Sequence, residues 1–185
     1  MLAIGITGTL GAGKGTVVEI LMKHYGFLHF SVRAFITEEI LKRNLPLNRD
    51  SMVLVANDLR QTHTPSYITD RLFETAFETG KNSVIESIRT PGEVASLRRQ
   101  NNFYLLAIDA LPELRYQRIV LRNSETDNVD YKTFIENEAR EMTATDPNKQ
   151  NLKACIEQAD FVIDNSGTIA DLEITVKRIM ETILR

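Results

Sequence analysis

The chain has 185 residues, a formal charge of −3 (22 Lys+Arg against 25 Asp+Glu), 43% hydrophobic residues, 9 Gly, 5 Pro and one cysteine. This composition excludes a disordered or collagen-like chain and an intrachain disulfide, and its acidic balance argues against a dedicated nucleic-acid binder. No run approaches the 18 apolar residues of a membrane span, and Met1–Ile6 is too short for a signal peptide, so the expectation is one cytoplasmic domain over 1–185, monomeric or weakly oligomeric.

The first apolar run, Leu2–Thr7, reads as a strand, and a glycine-rich segment carries it into a helix from Lys14 to His24. Phe27–Phe30 is a second strand, and Ser83–Ile88 a third. Thr90 and Glu93 form a capping box with Pro91 at the first helical position, so a helix starts there. Phe103–Ile108 is the fourth strand, followed by a helix over Ala110–Arg122, with Asp109 as its expected cap. After the polar stretch 123–128 comes a helix from about Tyr131 to Thr143. Cys155 sits in an apolar helical neighbourhood and reads as a small buried hydrophobe. Phe161–Asp164 is the fifth strand. Thr168 and Asp171 open a last helix whose stripe Ile169, Leu172, Val176, Ile179, Met180 and Ile183 is packing. Strands that alternate with helices imply a mainly parallel sheet, and continuously apolar strands imply helices on both faces. The expected fold is a three-layer α/β/α domain around five strands.

The segment Gly8-Thr9-Leu10-Gly11-Ala12-Gly13-Lys14-Gly15-Thr16 has the context of a phosphate-binding loop, between a strand and a helix. Glycines let backbone N–H groups turn inward around an anion, and the helix N-terminus adds donors and partial positive charge. Lys14 would reach the β- and γ-phosphates. Gly15 follows the lysine where Ser or Thr is usual, so the hydroxyl of Thr16 is displaced by one position. Mg²⁺ is therefore expected to be held mainly by phosphates and water, with Thr16 and an acid elsewhere as the protein's candidates.

Glu86 and Asp109 fall at strand C-termini, the edge where open parallel sheets bind ligands. Arg115, Arg118 and Arg122 share one helix face, as do Lys132, Glu136 and Arg140 on the next helix. His24, His29 and His63 lack metal-ligand spacing and read as structural or surface residues. Asn148-Lys149-Gln150-Asn151 lacks the final acid of a guanine-reading motif, so a GTPase is discounted.

Gly-Ala-Gly-Lys-Gly-Thr resembles the loop of adenylate kinase and other nucleoside monophosphate kinases. Ser31-Val32-Arg33-Ala34-Phe35 is similar to the segment with which that family greets its acceptor nucleotide. Val84-Ile85-Glu86-Ser87-Ile88-Arg89-Thr90-Pro91 resembles its third strand, and Ala159–Thr168 the tail of dephospho-CoA kinase. The stretch from Glu86 to Thr168 also resembles an archaeal group of small P-loop kinases. The resemblance implies a P-loop NTPase fold with a small helical lid at about 122–147 and an acceptor-binding segment at about 31–80. It implies ATP and Mg²⁺ as cofactors, with Glu86 beside the phosphate loop orienting the metal. It implies acceptor contacts from Ser31, Arg33, Arg60 and Arg89, and lid arginines Arg118, Arg122 and Arg140 closing over the phosphates. Donor-base contacts would come from Asn165 and Gly167. The favoured activity is transfer of the γ-phosphoryl of MgATP to a nucleoside or deoxynucleoside monophosphate, a small-molecule partner, with no nucleic acid or membrane involved. A dephospho-CoA kinase, with a hydroxyl acceptor, and a nucleotide-dependent assembly factor on the same fold remain open.

Overall fold

The computed structural model describes residues 1–123 and 129–185, so most of the expected polar stretch of the lid lies outside the described residues. Five strands form one sheet: β1 (Ala3–Gly8), β2 (Leu28–Ser31), β3 (Ser83–Glu86), β4 (Phe103–Asp109) and β5 (Phe161–Asp164). Their order is β2-β3-β1-β4-β5, and every neighbouring pair is parallel. The expected mainly parallel sheet is thus parallel throughout, because each pair of strands is joined by helices that cross one face.

Helices α1 (Lys14–Tyr25) and α9 (Ile169–Ile183) cover one face of the sheet. The other face carries α2 (Val32–Lys42), α3 (Arg49–Thr62), α4 (Tyr67–Thr79), α5 (Pro91–Arg98) and the short α8 (Leu152–Glu157). Along β1, Ile4 and Ile6 join the first layer while Ala3 joins the second; in β4, Leu106 and Ile108 face α1 and α9 while Leu105 faces the other helices. Period-two alternation therefore sorts apolar side chains between two cores, which is why these strands are apolar without a break. Cys155 is buried in the second core, and burial pushes its thiol up to about 12. That matches its reading as a packing residue.

Two helices lie beyond β4: α6 (Pro112–Arg122) and α7 (Tyr131–Met142). α6 begins at Pro112 rather than Ala110, and Asp109 does not cap it; Asp109 is engaged elsewhere, and proline occupies the first turn. β3 ends at Glu86, two residues before the expected Ile88, because Ser87 takes a left-handed conformation (φ 74°). A non-glycine residue there stores local strain, about 1 kcal/mol. The turn sends both Glu86 and Arg89 to the same side of the sheet edge. The N-termini of α5 and α9 carry the capping boxes expected from Thr90/Glu93 and Thr168/Asp171.

Candidate active site

β1 is the central strand, and its C-terminal end opens into the loop that precedes α1. Gly8 adopts φ 134°, and a Cβ there would lie 1.9 Å from the Ile108 carbonyl oxygen of the adjacent strand. Gly13 adopts φ 95°, and its Cβ would meet the Asn165 amide nitrogen at 2.2 Å. Both positions therefore require glycine for conformation and for space. α1 starts at Gly13 with no side-chain cap and no acidic residue in its first turn. Its first N–H groups, with the positive end of the helix dipole, are left for an anion.

Distant residues brace this loop. Thr9 Oγ1 donates to Asp109 Oδ1 at 2.6 Å, and Asn165 Nδ2 donates to the Ala12 carbonyl at 2.8 Å. Arg115, buried on α6, donates to the carbonyls of Ala110 and Leu10, and its guanidinium pairs with Glu138 of α7 and lies over the Phe134 ring. Lys14 Nζ donates to the Gly8 and Thr9 carbonyls at 3.1 and 2.8 Å. Burial, then the neighbouring charge of Arg89, lowers the Lys14 pKa from 10.5 to about 7.

The loop lines a cleft of about 530 Å³. One wall comprises Leu10, Gly11, Gly13, Lys14, Gly15 and Thr16, with Arg118, Arg122 and Gly167 nearby. The same cleft is also lined by Arg33 from α2, Arg49 and Arg60 from α3, Glu86 and Arg89 from the β3 edge, Glu141 from α7, and Gln150. Glu86 Oε2 lies 3.1 Å from His29 Nε2. Burial pushes the Glu86 pKa up, but the His29 hydrogen bond and the charge of Lys14 outweigh it and hold the carboxyl below its usual value. Glu141 is buried and accepts from both Arg49 and Arg89; against burial, which raises its pKa, these two arginines keep it ionised.

Several expected site residues take other roles. Ser31 caps α2 by accepting from the Ala34 N–H and does not line the cleft. Arg60 is 1% exposed, and its Nε and Nη2 donate to Glu93, which is itself fully buried. Only its Nη1 is uncommitted, buried and without a hydrogen-bond partner. Arg140 is exposed and lines a separate depression with Thr143 and Lys149, because the other face of α7 packs inward through Phe134, Glu138 and Glu141. α7 is therefore docked on α6. Asn165 lines the cleft and also braces the loop: its side-chain Nδ2 donates to the Ala12 carbonyl, and its backbone carbonyl accepts from Arg118 Nη2 at 2.9 Å.

The sequence reading missed four residues. His29 lacks metal-ligand spacing in the sequence; in the fold it pairs with Val84 across β2 and β3, and its ring reaches diagonally to Glu86, two residues further along β3. Glu141 and Arg49 carried no local signal, and Gln150 sat in a discounted motif. Glu93 was legible only as a cap. In the fold, its Oε2 also accepts from the Arg89 N–H and its Oε1 holds Arg60.

The chain fits a MgATP site in three respects. The loop offers uncapped helix N–H groups, Lys14 and Thr16 share the cleft with Glu86, and Arg118 Nη1 is a buried donor with no hydrogen-bond partner in the cleft wall. No cluster of three or more His, Cys, Asp or Glu able to hold a metal occurs among the described residues. A magnesium ion here would take most of its oxygen ligands from phosphates and water, with Thr16 and Glu86 as the protein's contributions.

The family described as AAA domain matches residues 4–146. A UPF0200 protein of Methanococcus maripaludis is 30% identical over 187 residues, covering 97% of this chain and 98% of its own. Among solved structures, shikimate kinase from Bacteroides thetaiotaomicron superposes with a TM-score of 0.61 at 13% identity, covering 100% of this chain and 99% of that one. Dephospho-CoA kinase from Campylobacter jejuni gives 0.51 at 18% identity, covering 98% and 96%. At such identities these two structures speak for the fold. With its strand-loop-helix phosphate cradle and full-length likeness to those relatives, the chain belongs to the UPF0200 family and carries an AAA domain, a P-loop NTPase unit with a kinase-like fold.

Proposed function

We propose that the protein is an ATP-dependent phosphotransferase that passes the γ-phosphoryl of MgATP to a nucleoside or deoxynucleoside monophosphate. One observation carries this reading: the cleft that holds the Lys14 loop is also lined by a second set of cations, Arg33, Arg49 and Arg89, none of them from the loop. A hydrolytic switch needs only the first; a second cationic wall suits a second anionic substrate.

Bound MgATP supplies the electrophilic γ-phosphoryl. The loop N–H groups and Lys14 would hold the donor phosphates and neutralise charge that builds on the equatorial oxygens. Arg118 and Arg122 would add planar donors from the donor side. Arg89, Arg49 and Arg33 would hold the acceptor phosphate, which is already a nucleophile near neutral pH and needs no strong base. Asn165, Arg115 and Asp109 act through the loop by fixing its shape. MgATP-dependent turnover implies a compartment that supplies ATP, the cytoplasm.

A second reading rests on Glu86 and His29. An ionised carboxylate held by a histidine could accept the proton of a hydroxyl acceptor, as a dephospho-CoA kinase reaction requires. Incubation with MgATP and a panel of nucleoside monophosphates plus dephospho-CoA, with product detection by mass, separates the readings. A phosphorylated monophosphate is the expected product. 3′-phosphorylation of dephospho-CoA would favour the second reading. Slow release of inorganic phosphate with no transfer product would make the protein a nucleotide-dependent switch.

A further inference from the structure

The acceptor wall contains an anion of its own. Glu141 Oε1 accepts from Arg49 Nη2 at 2.5 Å, and Oε2 accepts from Arg89 Nη1 at 2.8 Å. Arg89 Nη1 also donates to Gln150 Oε1 at 3.0 Å. Two arginines distant in sequence thus converge on one carboxylate, inside the cleft that holds Lys14. The Glu141 side chain is only 6% exposed there.

Docking of α7 does not account for this contact. Phe134, one turn or more away, is buried against Tyr116 and the Arg115 guanidinium, and Glu138 pairs with Arg115. α7 is therefore already fixed to α6 by packing and by one buried ion pair. The Glu141 contact does something different: it joins two cleft-lining guanidinium groups.

Resting on the phosphotransferase reading above, we propose that Arg49 and Arg89 form the receiving site for the acceptor's anionic group, and that Glu141 is a built-in stand-in which the acceptor must displace. Two planar guanidinium groups around two oxygens is a geometry that suits a carboxylate or a phosphate. The stand-in discriminates between them. Glu141 is tethered, so its local concentration at the arginines is about millimolar or higher. A free carboxylate has the same charge and the same two oxygens, so it gains nothing in the exchange. A phosphate monoester brings close to two charges and three acceptor oxygens at neutral pH, so it gains on both counts. The site therefore selects a phosphorylated acceptor over a carboxylic acid by competition against its own glutamate.

The test is a calorimetric titration of inorganic phosphate, and separately of acetate, into protein saturated with MgADP so that the phosphate loop is filled. Wild type is expected to bind phosphate and not acetate over the same range. Glu141→Gln removes the competing charge with little change of shape, and it should bind phosphate about tenfold tighter or more and make acetate binding measurable. Glu141→Asp, which keeps the charge and withdraws it by one methylene, should tighten phosphate binding by a smaller factor and covers the case in which the glutamine variant does not fold. Adding Arg89→Ala to Glu141→Gln should abolish the gain, which shows that the phosphate sits at this site. Phosphate affinity unchanged or weaker in Glu141→Gln and Glu141→Asp would overturn the proposal, as would equal binding of acetate and phosphate by wild type. The preceding MgADP titration reads the phosphate loop independently: failure at that stage refutes the phosphotransferase reading itself, whereas failure at the phosphate stage refutes only the role of Glu141.

Discussion

The two walls of the cleft are built in opposite ways. The side proposed for the donor is nearly contiguous: Leu10 to Thr16 supplies most of it, with the N–H groups at the start of α1 and Lys14, and Arg118 and Arg122 lie beside it. The acceptor wall is assembled from α2, α3, the β3 edge and α7, and it consists of side chains held by one another. A loop whose shape depends on glycine conformations can be altered only by breaking it. A wall made of mutually paired charges can be retuned one residue at a time. On the proposed reading, the fold keeps the phosphoryl donor constant and leaves the acceptor to the side-chain network.

Substitutions at the two walls should separate cleanly. Lys14→Ala should leave the circular dichroism spectrum intact and lower transfer by about 10³-fold or more, since one charge is removed from the developing phosphate oxygens. Full turnover by a folded variant would refute the phosphate-loop assignment. Glu93→Ala strikes the acceptor wall from beneath, leaving Arg60 as an uncompensated buried charge and uncapping α5. Denaturant unfolding should show a loss of about 3–5 kcal/mol, and a loss below 1 would mean that Arg60 finds another partner. Arg89→Ala should raise the acceptor KM by about 100-fold while MgATP affinity stays nearly unchanged. A loss confined to MgATP affinity would move Arg89 to the donor wall.

Acidity sharpens the comparison further. Lys14 sits at about 7 in the ligand-free protein, and it must carry its proton when it faces phosphates. MgATP binding at pH 8.5 should therefore take up about one proton, and affinity should fall about tenfold per pH unit above 7. Calorimetry in buffers of different ionisation enthalpy measures the uptake; none at pH 8.5 would contradict the lowered value. The same shift acts on stability. The folded pKa lies below the ordinary 10.5, so between about pH 7 and 10.5 the unfolded chain binds more protons. Through that window the Lys14 contribution to ligand-free stability rises with pH, and below pH 7 it is flat.

The smallest expected effect is the most discriminating for the lid. Arg140→Ala should leave both turnover and stability nearly unchanged, within about 0.5 kcal/mol, as for a typical surface substitution. A large fall in turnover would show that α7 rotates to bring Arg140 over the phosphates, against the packing of Phe134 and the Arg115–Glu138 pair.

What the sequence by itself determined is local. The five strands, the phosphate loop with Lys14, and both capping boxes were legible because each depends on residues a few positions apart: a two-residue period, a glycine pattern, a Thr-x-x-acid spacing. The arginines stood out in the sequence as a set, and the structure brings Arg33, Arg60, Arg89, Arg118 and Arg122 to one cleft. Their individual roles were decided only by the tertiary structure. Arg60 became a buried strut because α5 brings Glu93 to it, 33 residues away. Asp109 became an anchor for Thr9 across 100 residues. His29 became a partner of Glu86 because β2 lies beside β3, and Glu141 reached Arg49 across 92 residues and Arg89 across 52. Charge pairing is set by distances of a few ångströms between side chains. Those distances follow from how helices pack on the sheet, and no periodicity along the chain encodes which acid will face which base.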